Sequence, residues 1–255
     1  MVPIGDAPNP PGIHVVTYVL VAVNVAVYLF VTVPLEATPP NPNDPVLGEY
    51  LRVVAQARPD IPPRVLLEQT SAYDLFIFTH AFRPAAPRIA NIFYSMFLHA
   101  GFAHLFGNML FLWIYGDNVE YRLGHLRYLL AYLASGICAV LFYFLLASRS
   151  RLPMLGASGA ISGVLGFYFV WFPRNRVRLL LLFPLFGQVT VPARLLLGMY
   201  LVVDNLLPFL LTTGDAGGVA YGAHIGGFVA GFAGAQLIDW RESARAREEE
   251  EFDRW

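Results

Sequence analysis

Apolar residues are gathered into six long runs that polar segments separate. Each run is close to the 17–25 residues that a helix needs to cross a bilayer. A shorter, interrupted apolar run at 177–191 is interpreted as interfacial or as the start of the fifth helix. We therefore predict an all-α, polytopic membrane protein with one transmembrane domain over residues 1–240. Its six predicted spanning helices lie at about 13–33, 99–116, 125–147, 157–173, 192–211 and 219–238.

Three segments lie outside these runs. Residues 34–98 are rich in proline but also contain the amphipathic stretch "VLGEYLRVVAQA", so we expect a long loop that lies partly in the membrane interface. The charged tail at 241–255 is expected to be a solvated helix or a disordered end. The first twelve residues lack the positive region of a secretory signal, so the first apolar run is interpreted as a retained span.

Composition supports a membrane protein and excludes several other classes. Hydrophobic residues make up 56% of the chain and charged residues only 14%, against roughly 25% charged residues in soluble domains. A net charge of −1 argues against a nucleic-acid partner, because no basic field is present to neutralise phosphates. The single cysteine excludes an intrachain disulfide. The histidines do not form a His-Glu-x-x-His motif, so no zinc site is predicted, and no cofactor is implied.

Among the short loops, arginine is more frequent on one side of the membrane, the side that also holds the C-terminal tail, and the five arginines of the long 34–98 loop count for less. By the positive-inside rule, this bias places both termini in the cytoplasm and the long 34–98 loop on the outer side. The second, fourth and sixth spans then all begin at the outer face. A bacterial inner membrane is the expected location.

Polar residues occur in the first turns of these three spans. The second span opens with His99, His104 and Asn108, the fourth with Ser158, and the sixth with His224. The predicted topology places all five at a similar depth. Because polar groups within a membrane are costly, such a cluster indicates a functional site.

The residue types in this cluster are those of nucleophilic catalysis. A serine in the first turn of a helix lies near free N–H groups and the positive end of the helix dipole, which favour an oxyanion. Serine also needs a base within hydrogen-bond reach, and His224 is the candidate. His104 and Asn108 share one helix face and can both donate to the oxyanion. Taken singly, Ser158 could be a small packing residue and His224 a polar contact between helices.

Small residues recur at spacings of four in the fourth and sixth spans. Rows of this kind let transmembrane backbones approach closely. Packing of the two spans along these rows would bring Ser158 and His224 together. In the fourth span Gly159 and Gly163 are four apart, with Gly156 and Gly166 nearby. Near or in the sixth span one row contains Gly218, Gly222, Gly226, Ala230 and Gly234, and Gly227 and Gly231 are also four apart.

Four stretches together resemble the rhomboid intramembrane serine proteases of bacteria. They are "HAGFAHLFGNMLFLWIYGDNVEYRLG" (99–124), "GASGAISGVLG" (156–166), "FPRNRV" (172–177) and "AHIGGFVAG" (223–231). A Gly-x-Ser-Gly motif alone is a weak signal. The motifs His-x-x-x-Asn, Gly-x-Ser-Gly and Ala-His-x-x-Gly-x-x-x-Gly in this order, each at the start of a predicted span, are a specific signal. The resemblance covers roughly residues 90–240.

The resemblance implies a role for each matching residue. Ser158 would be the nucleophile and His224 the general base, with no acidic third member, and His104, Asn108 and the Ser158 N–H would form the oxyanion hole. His99 would be structural, and Glu120 and Arg122 would form an ion pair.

The chain departs from the family pattern at two positions. Ala90 and Asn91 replace a common Trp-Arg pair, and Ser162 replaces an aromatic residue that stacks on the catalytic ring in some relatives. Outside the motifs, Asp204 lies within the fifth span, and we expect it to bond to Asn205 or to nearby backbone.

The function implied is endoproteolysis of transmembrane segments of membrane proteins through a Ser-His dyad. One alternative is an inactive rhomboid-like protein that binds transmembrane clients, although both dyad residues are present. Another is a small transporter, although no internal repeat is visible. The natural substrate, the cleavage-site preference and the oligomeric state do not follow from the sequence.

Overall fold

The computed structural model describes residues 1–181, 186–211 and 220–252, in which the chain is mostly helical. Two π-helical turns, Tyr28–Thr32 and Val202–Leu206, lie within the continuous helices Val15–Glu36 and Ala193–Leu211. The α-helices are α1 (Val15–Val27), α2 (Val33–Glu36), α3 (Leu47–Ala57), α4 (Pro63–Gln69), α5 (Ala72–His80), α6 (Ile89–Ser95), α7 (Phe102–Leu123), α8 (His125–Leu146), α9 (Ser158–Trp171), α10 (Ala193–Leu201), α11 (Leu207–Leu211) and α12 (Tyr221–Phe252).

A helix lies at each of the six predicted positions, with altered ends. Within the described residues, three helices are long and apolar enough to cross a membrane by length and composition: Val15–Glu36, His125–Leu146 and Ala193–Leu211. Helix α9 is apolar but short. Helices α7 and α12 continue beyond the predicted ends at residues 116 and 238, through charged and polar positions. Gly218 and part of the predicted start of the sixth span lie outside the described residues.

Helix α9 lies at the centre of the bundle. Every residue from Gly159 to Tyr168 is buried, and the helix packs against α7, α8, α10 and α12. A helix that is apolar all round is typical of a protein core or a membrane span, and here other helices cover it. The position of Ser158, the first residue of α9, is therefore set by a fully enclosed element.

A three-stranded antiparallel sheet corrects the all-α prediction. Its strands are β1 (Val2–Ala7), β2 (Arg176–Leu181) and β3 (Gly187–Pro192), with β2 in the middle. The described residues of the 177–191 run thus belong to two paired strands between α9 and α10, and not to the start of the fifth span. Pairing with β2 also places the N-terminus at the same end of the bundle as these strands.

The sequence of β2 indicates a strand, although the run as a whole is apolar. Val177 and Leu179 are buried whereas Arg176 and Arg178 are exposed. This alternation with a period of two is typical of a strand with one buried face. Strand β1 pairs at great sequence distance, and nothing in its own residues indicates its partner.

The segment at 34–98 is more ordered than the predicted loop. It contains α3 at the amphipathic stretch, followed by α4, α5 and α6. Ser71 begins α5 with a reciprocal capping box to Asp74. Arg83 donates to Glu49 over 3.0 Å and lies over the ring of Phe78, which ties the segment together.

The predicted ion pair between Glu120 and Arg122 is wrong. The buried Glu120 carboxylate accepts from the N–H groups of Val16 and Thr17 at 2.8 Å each and so caps the start of α1. Arg122 instead pairs with Asp239 of α12 at 2.7 Å. Two residues that are two apart on a helix point in different directions, so each carboxylate or guanidinium finds a separate partner.

A buried carboxyl, Asp6, joins β1 to the helices at the end of the bundle where the sheet lies. Asn118 of α7 donates to Asp6 over 3.0 Å, and the hydroxyl of Tyr168 on α9 donates to the same oxygen. Burial raises the pKa of Asp6 to about 6, although the hydrogen bond from Tyr168 opposes the shift and the nearby Asp117 adds to it. Protonation of Asp6 is therefore favoured by folding.

Replacing Asp6 with Asn is expected to remove a pH dependence of stability. An unfolded aspartate titrates at about pH 4, so between that pH and about 6 the folded protein binds more protons than the unfolded chain. Wild-type stability should fall as the pH rises through this window, by at most about 3 kcal/mol. The melting temperature in detergent, measured for wild type and Asp6→Asn from pH 4 to 7, checks this. Parallel curves for the two proteins would contradict it.

Candidate active site

The segment before α9 is held in place by the region between α1 and α7. The Gly156 N–H donates to the Ser95 carbonyl over 2.7 Å, and Phe82 and Met154 exchange backbone hydrogen bonds. Gly156 has a φ of +123°, a conformation that L-residues rarely adopt. These contacts fix the direction in which the chain enters the first turn of α9 at Ser158.

Ser158 and His224 are in direct contact. The Ser158 Oγ lies 2.7 Å from Nε2 of His224, the fourth residue of α12. Both side chains are partly buried, and both line a cavity of about 520 Å³. The N–H groups in the first turn of α9 have no partner within the helix, so donors surround the hydroxyl.

His104 lies against Gly156, close to the Ser158 hydroxyl. A Cβ on Gly156 would lie 2.9 Å from His104 Nε2 and 3.5 Å from Ser158 Oγ, so glycine leaves room for the ring beside the hydroxyl. The Ala100 N–H donates to His104 Nδ1 over 3.3 Å. A neutral ring that accepts at Nδ1 has its proton on Nε2, the nitrogen that faces Gly156.

Asn108 follows His104 by one turn on the same face of α7 and also lines the cavity. Its Nδ2 donates to the His104 carbonyl over 2.9 Å, which fixes the amide and leaves its second N–H free of that bond. Two side-chain donors from α7 therefore accompany the N–H groups at the start of α9.

His99 lies next to His104. Its ring is fully buried and packs edge-on against His104 with ring centroids 5.1 Å apart, and among the described residues neither ring nitrogen has a hydrogen-bond partner. His99 does not line the cavity within the described part of the chain. It supports the His104 ring by packing.

Glycines allow α9 and α12 to pack backbone against backbone. A Cβ on Gly227 would overlap the Gly159 carbonyl, and one on Gly231 would overlap the Gly163 carbonyl. Small-residue rows on both helices make this approach possible. The approach brings the first turns of the two helices, and with them Ser158 and His224, within hydrogen-bond distance.

The structure adds one residue that the sequence analysis did not select. Asn205 is buried, and its Oδ1 lies 2.7 Å from His224 Nδ1. The expected bond between Asp204 and Asn205 is wrong for the described residues, because Asp204 is exposed and Asn205 bonds to His224 and to the Tyr200 carbonyl. The signal in the sequence that could have identified Asn205 was an amide inside an apolar span.

The two departures from the family pattern have local explanations. Asn91, where relatives have a basic residue, is buried and donates to the carbonyls of Thr79 and Ala81 over 3.0 Å each, so it anchors α6 to the end of α5. Ser162, where some relatives have an aromatic ring, bonds to the hydroxyl of Tyr200 over 2.8 Å.

This chain is similar to known proteins of one family. The rhomboid domain matches residues 86–240. Rhomboid protein 1, mitochondrial, of Saccharomyces cerevisiae is 34% identical over 170 residues, which is 65% of this chain and 46% of the relative. Rhomboid protease GluP of Bacillus subtilis is 37% identical over 141 residues, which is 55% of this chain and 24% of the relative. Rhomboid-type serine protease 2 of Emericella nidulans is 28% identical over 156 residues, which is 59% of this chain and 27% of the relative.

The chain belongs to the rhomboid family, because the domain match covers more than half of it. With its long apolar helices it is a membrane protein. The chain spans less than half the length of each of these three relatives.

Replacing Gly227 with Ala is expected to force α9 and α12 apart and to disturb the contact between Ser158 and His224. The added methyl group would overlap a backbone carbonyl, which cannot move independently of α9. Overpacking of this kind costs about 1–3 kcal/mol. The measurement is the melting temperature together with the rate of covalent labelling by a fluorophosphonate.

Gly222→Ala is the matched control on the same helix. Its methyl group would come 3.0 Å from the tip of the Leu146 side chain, which can rotate away, and would lie at an ordinary contact distance of 3.8 Å from the rings of Phe209 and Tyr143. Equal losses in Gly222→Ala and Gly227→Ala would contradict the special role of the Gly227 contact.

Proposed function

We propose that this protein is an intramembrane serine endopeptidase that cleaves transmembrane segments of other membrane proteins. The observation that carries the proposal is the 2.7 Å contact between Ser158 Oγ and His224 Nε2 at the start of two close-packed helices. The names of two relatives, a rhomboid protease and a rhomboid-type serine protease, support it.

The first step of the proposed reaction uses the Ser158–His224 contact. His224 Nε2 accepts the hydroxyl proton as Ser158 Oγ attacks the carbonyl carbon of the scissile peptide bond. The proton remains on the imidazole ring while the tetrahedral intermediate exists. No metal or cofactor takes part in this scheme.

The negative oxygen of the intermediate would lie between α7 and the first turn of α9. The Nε2–H of His104, the free N–H of Asn108 and the N–H of Ser158 are the donors in reach of that region. Fixed donors that face a developing charge stabilise the transition state more than the ground state. The dipole of α9 adds to the same effect.

His224 then gives its proton to the leaving amine, and water hydrolyses the acyl-enzyme at Ser158. Water would reach the cavity from the end of the bundle at which α7, α9 and α12 begin. This is the end opposite the β-sheet, and it corresponds to the outer side in the topology inferred from the arginine distribution.

A helical substrate must unwind before this reaction. A peptide bond within a helix is shielded, and its freed backbone groups lack water in the bilayer. Substrates with helix-breaking or small residues near the cleavage site are therefore favoured. We place the lateral approach of the substrate between α7 and the Ala193–Leu211 helix.

The proposed topology has six spans. To the three helices that qualify by length and apolarity we add α7, α9 and the first part of α12. Their polar and glycine-rich positions lower their hydropathy, but these positions face other helices and the cavity. Both termini and the charged tail at 241–255 then lie in the cytoplasm.

Ser158→Ala and His224→Ala are each expected to abolish cleavage of a model transmembrane substrate in liposomes. Ser158→Ala should also abolish fluorophosphonate labelling, and His224→Ala should reduce it at least about 100-fold, since a positioned base contributes about 10²–10⁴-fold. Ser162→Ala, which removes a hydroxyl from the same helix, is the control and should retain labelling. Labelling of Ser158→Ala at the wild-type rate would overturn the proposal.

Asn108→Ala and His104→Ala are expected to lower kcat with little change in KM. The loss of one oxyanion donor costs about 10²–10³-fold in kcat, because the bond forms mainly in the transition state. Phe106→Ala, an exposed position on the same helix, is the control. A loss of activity that merely parallels a loss of melting temperature would argue against the donor role.

A further inference from the structure

Asn205 is the polar residue that the proposed mechanism leaves unused. It lies in the π-helical turn Val202–Leu206, in the middle of the Ala193–Leu211 helix. From Gly198 to Leu211 it is the only fully buried residue, at 1% exposure. An amide buried inside a membrane-spanning helix is costly unless its hydrogen bonds are made, and π-turns occur often at functional sites.

The two hydrogen bonds of Asn205 fix the orientation of its amide. Nδ2 lies 2.8 Å from the Tyr200 carbonyl oxygen, which can only accept. The amide nitrogen must therefore face Tyr200, and Oδ1 must face His224 Nδ1 at 2.7 Å. The opposite orientation would place two oxygens against each other.

This orientation in turn fixes the state of His224. Because Oδ1 only accepts, His224 Nδ1 must carry a proton, and in a neutral ring Nε2 is then an acceptor. Nε2 is the nitrogen that faces Ser158 Oγ at 2.7 Å, so the serine hydroxyl must donate to it. The Ser158 hydroxyl thus donates to His224 and the His224 Nδ1–H donates to Asn205. The Asn205 amide in turn donates to the Tyr200 carbonyl.

We infer that Asn205 is a positioning residue that holds His224 in the tautomer and ring orientation needed to accept the Ser158 proton. This inference rests on the proposed serine-protease function. Asn205 performs the orienting role without a charge: it accepts from Nδ1–H in the resting state and from the same N–H when the ring becomes an imidazolium. An uncharged partner avoids the desolvation cost of a buried carboxylate.

The location of Asn205 couples the base to a loosely packed helix. Most side chains of the Ala193–Leu211 helix are exposed, including Val202, Val203 and Leu207 on either side of Asn205. A second polar contact, between Ser162 and Tyr200, joins this helix to α9 without touching His224. Displacement of the helix would withdraw Oδ1 and release the ring, so the orientation of the base follows the position of this helix.

The first test compares Asn205→Ala with Ser162→Ala, which removes the other polar contact of the same helix. The rate of fluorophosphonate labelling and kcat for a model transmembrane substrate are measured with the melting temperature. Asn205→Ala should lower kcat and labelling about 10-fold or more with KM within about 2-fold, because one oriented hydrogen bond is lost. In Ser162→Ala, kcat and the labelling rate should fall less than about 3-fold. Equal losses in the two variants would overturn the inference.

Two conservative substitutions separate orientation from packing. Asn205→Asp, as a buried carboxylic acid, keeps an acceptor toward His224 Nδ1 and an O–H donor toward the Tyr200 carbonyl, and should recover at least about 3-fold of the labelling rate lost in Asn205→Ala. Asn205→Gln keeps the amide but displaces it by one methylene group, and should label as slowly as Asn205→Ala. Labelling by Asn205→Ala at the wild-type rate would show that the contact has no role in the reaction.

A measurement on the wild-type protein does not depend on the folding of any variant at position 205. Nitrogen-15 NMR of histidine-labelled protein in detergent, with His224 assigned by its absence in His224→Asn, reports the tautomer. A neutral ring with its proton on Nδ1 is expected, and a proton on Nε2 would overturn the inference. If wild type fails to label with the fluorophosphonate, the proposed function fails, and the Asn205 contact is judged by this spectrum.

Discussion

The close packing of α9 against α12 is the constraint on which the site depends. Ser158 and His224 are separated by 66 positions in the chain, and their contact requires two helix backbones to meet with no side chain between them. Gly227 and Gly231 of α12 lie against the carbonyls of Gly159 and Gly163 of α9, and a methyl group added at either α12 position would overlap one of these oxygens. A methyl group added at Gly159 or Gly163 would instead overlap a side chain of α8. In a bilayer, where apolar surface gains little by leaving lipid, such van der Waals contact between backbones is a main source of helix association. The same contacts that stabilise the bundle therefore bring Ser158 and His224 together.

Neutral hydrogen-bonding groups make up the site. Ser158, His224, His104 and Asn108 line the cavity, Asn205 lies behind the base, and the carboxylates Asp6 and Glu120 lie toward the other end of the helices. A charge enclosed in a bundle needs several donors to offset its desolvation, and Glu120 meets this need by accepting the N–H groups at the start of α1. Amides and imidazoles need fewer partners, so they can be placed near a cavity at lower cost. The arrangement keeps ionised groups where helix ends can satisfy them and leaves neutral groups around Ser158.

The two ends of α9 are held by different hydrogen bonds. At one end, Tyr168 donates to Asp6, which connects the helix to a strand that lies outside the bundle. At the other end, the preceding segment is tied to Ser95 and Phe82 of the region between α1 and α7. The helix is thus fixed along its length by burial and at both ends by hydrogen bonds. The Ala193–Leu211 helix lacks this enclosure, and its contact with His224 is consequently the one in the site that a small displacement would break.

The sequence alone determined the positions of the helices and the residues at the start of three of them. Long apolar runs must form helices in a membrane, and a serine, histidines and an amide at one depth are too costly to be incidental. Tertiary structure decided what local patterns do not carry. The sheet pairs β1 with β2 across most of the chain, the partners of Glu120 and Arg122 follow from the directions in which their side chains leave α7, and Asn205 meets His224 only because a π-turn and helix packing bring them together. These are contacts between distant residues, and they depend on distances that composition and spacing along one helix do not specify.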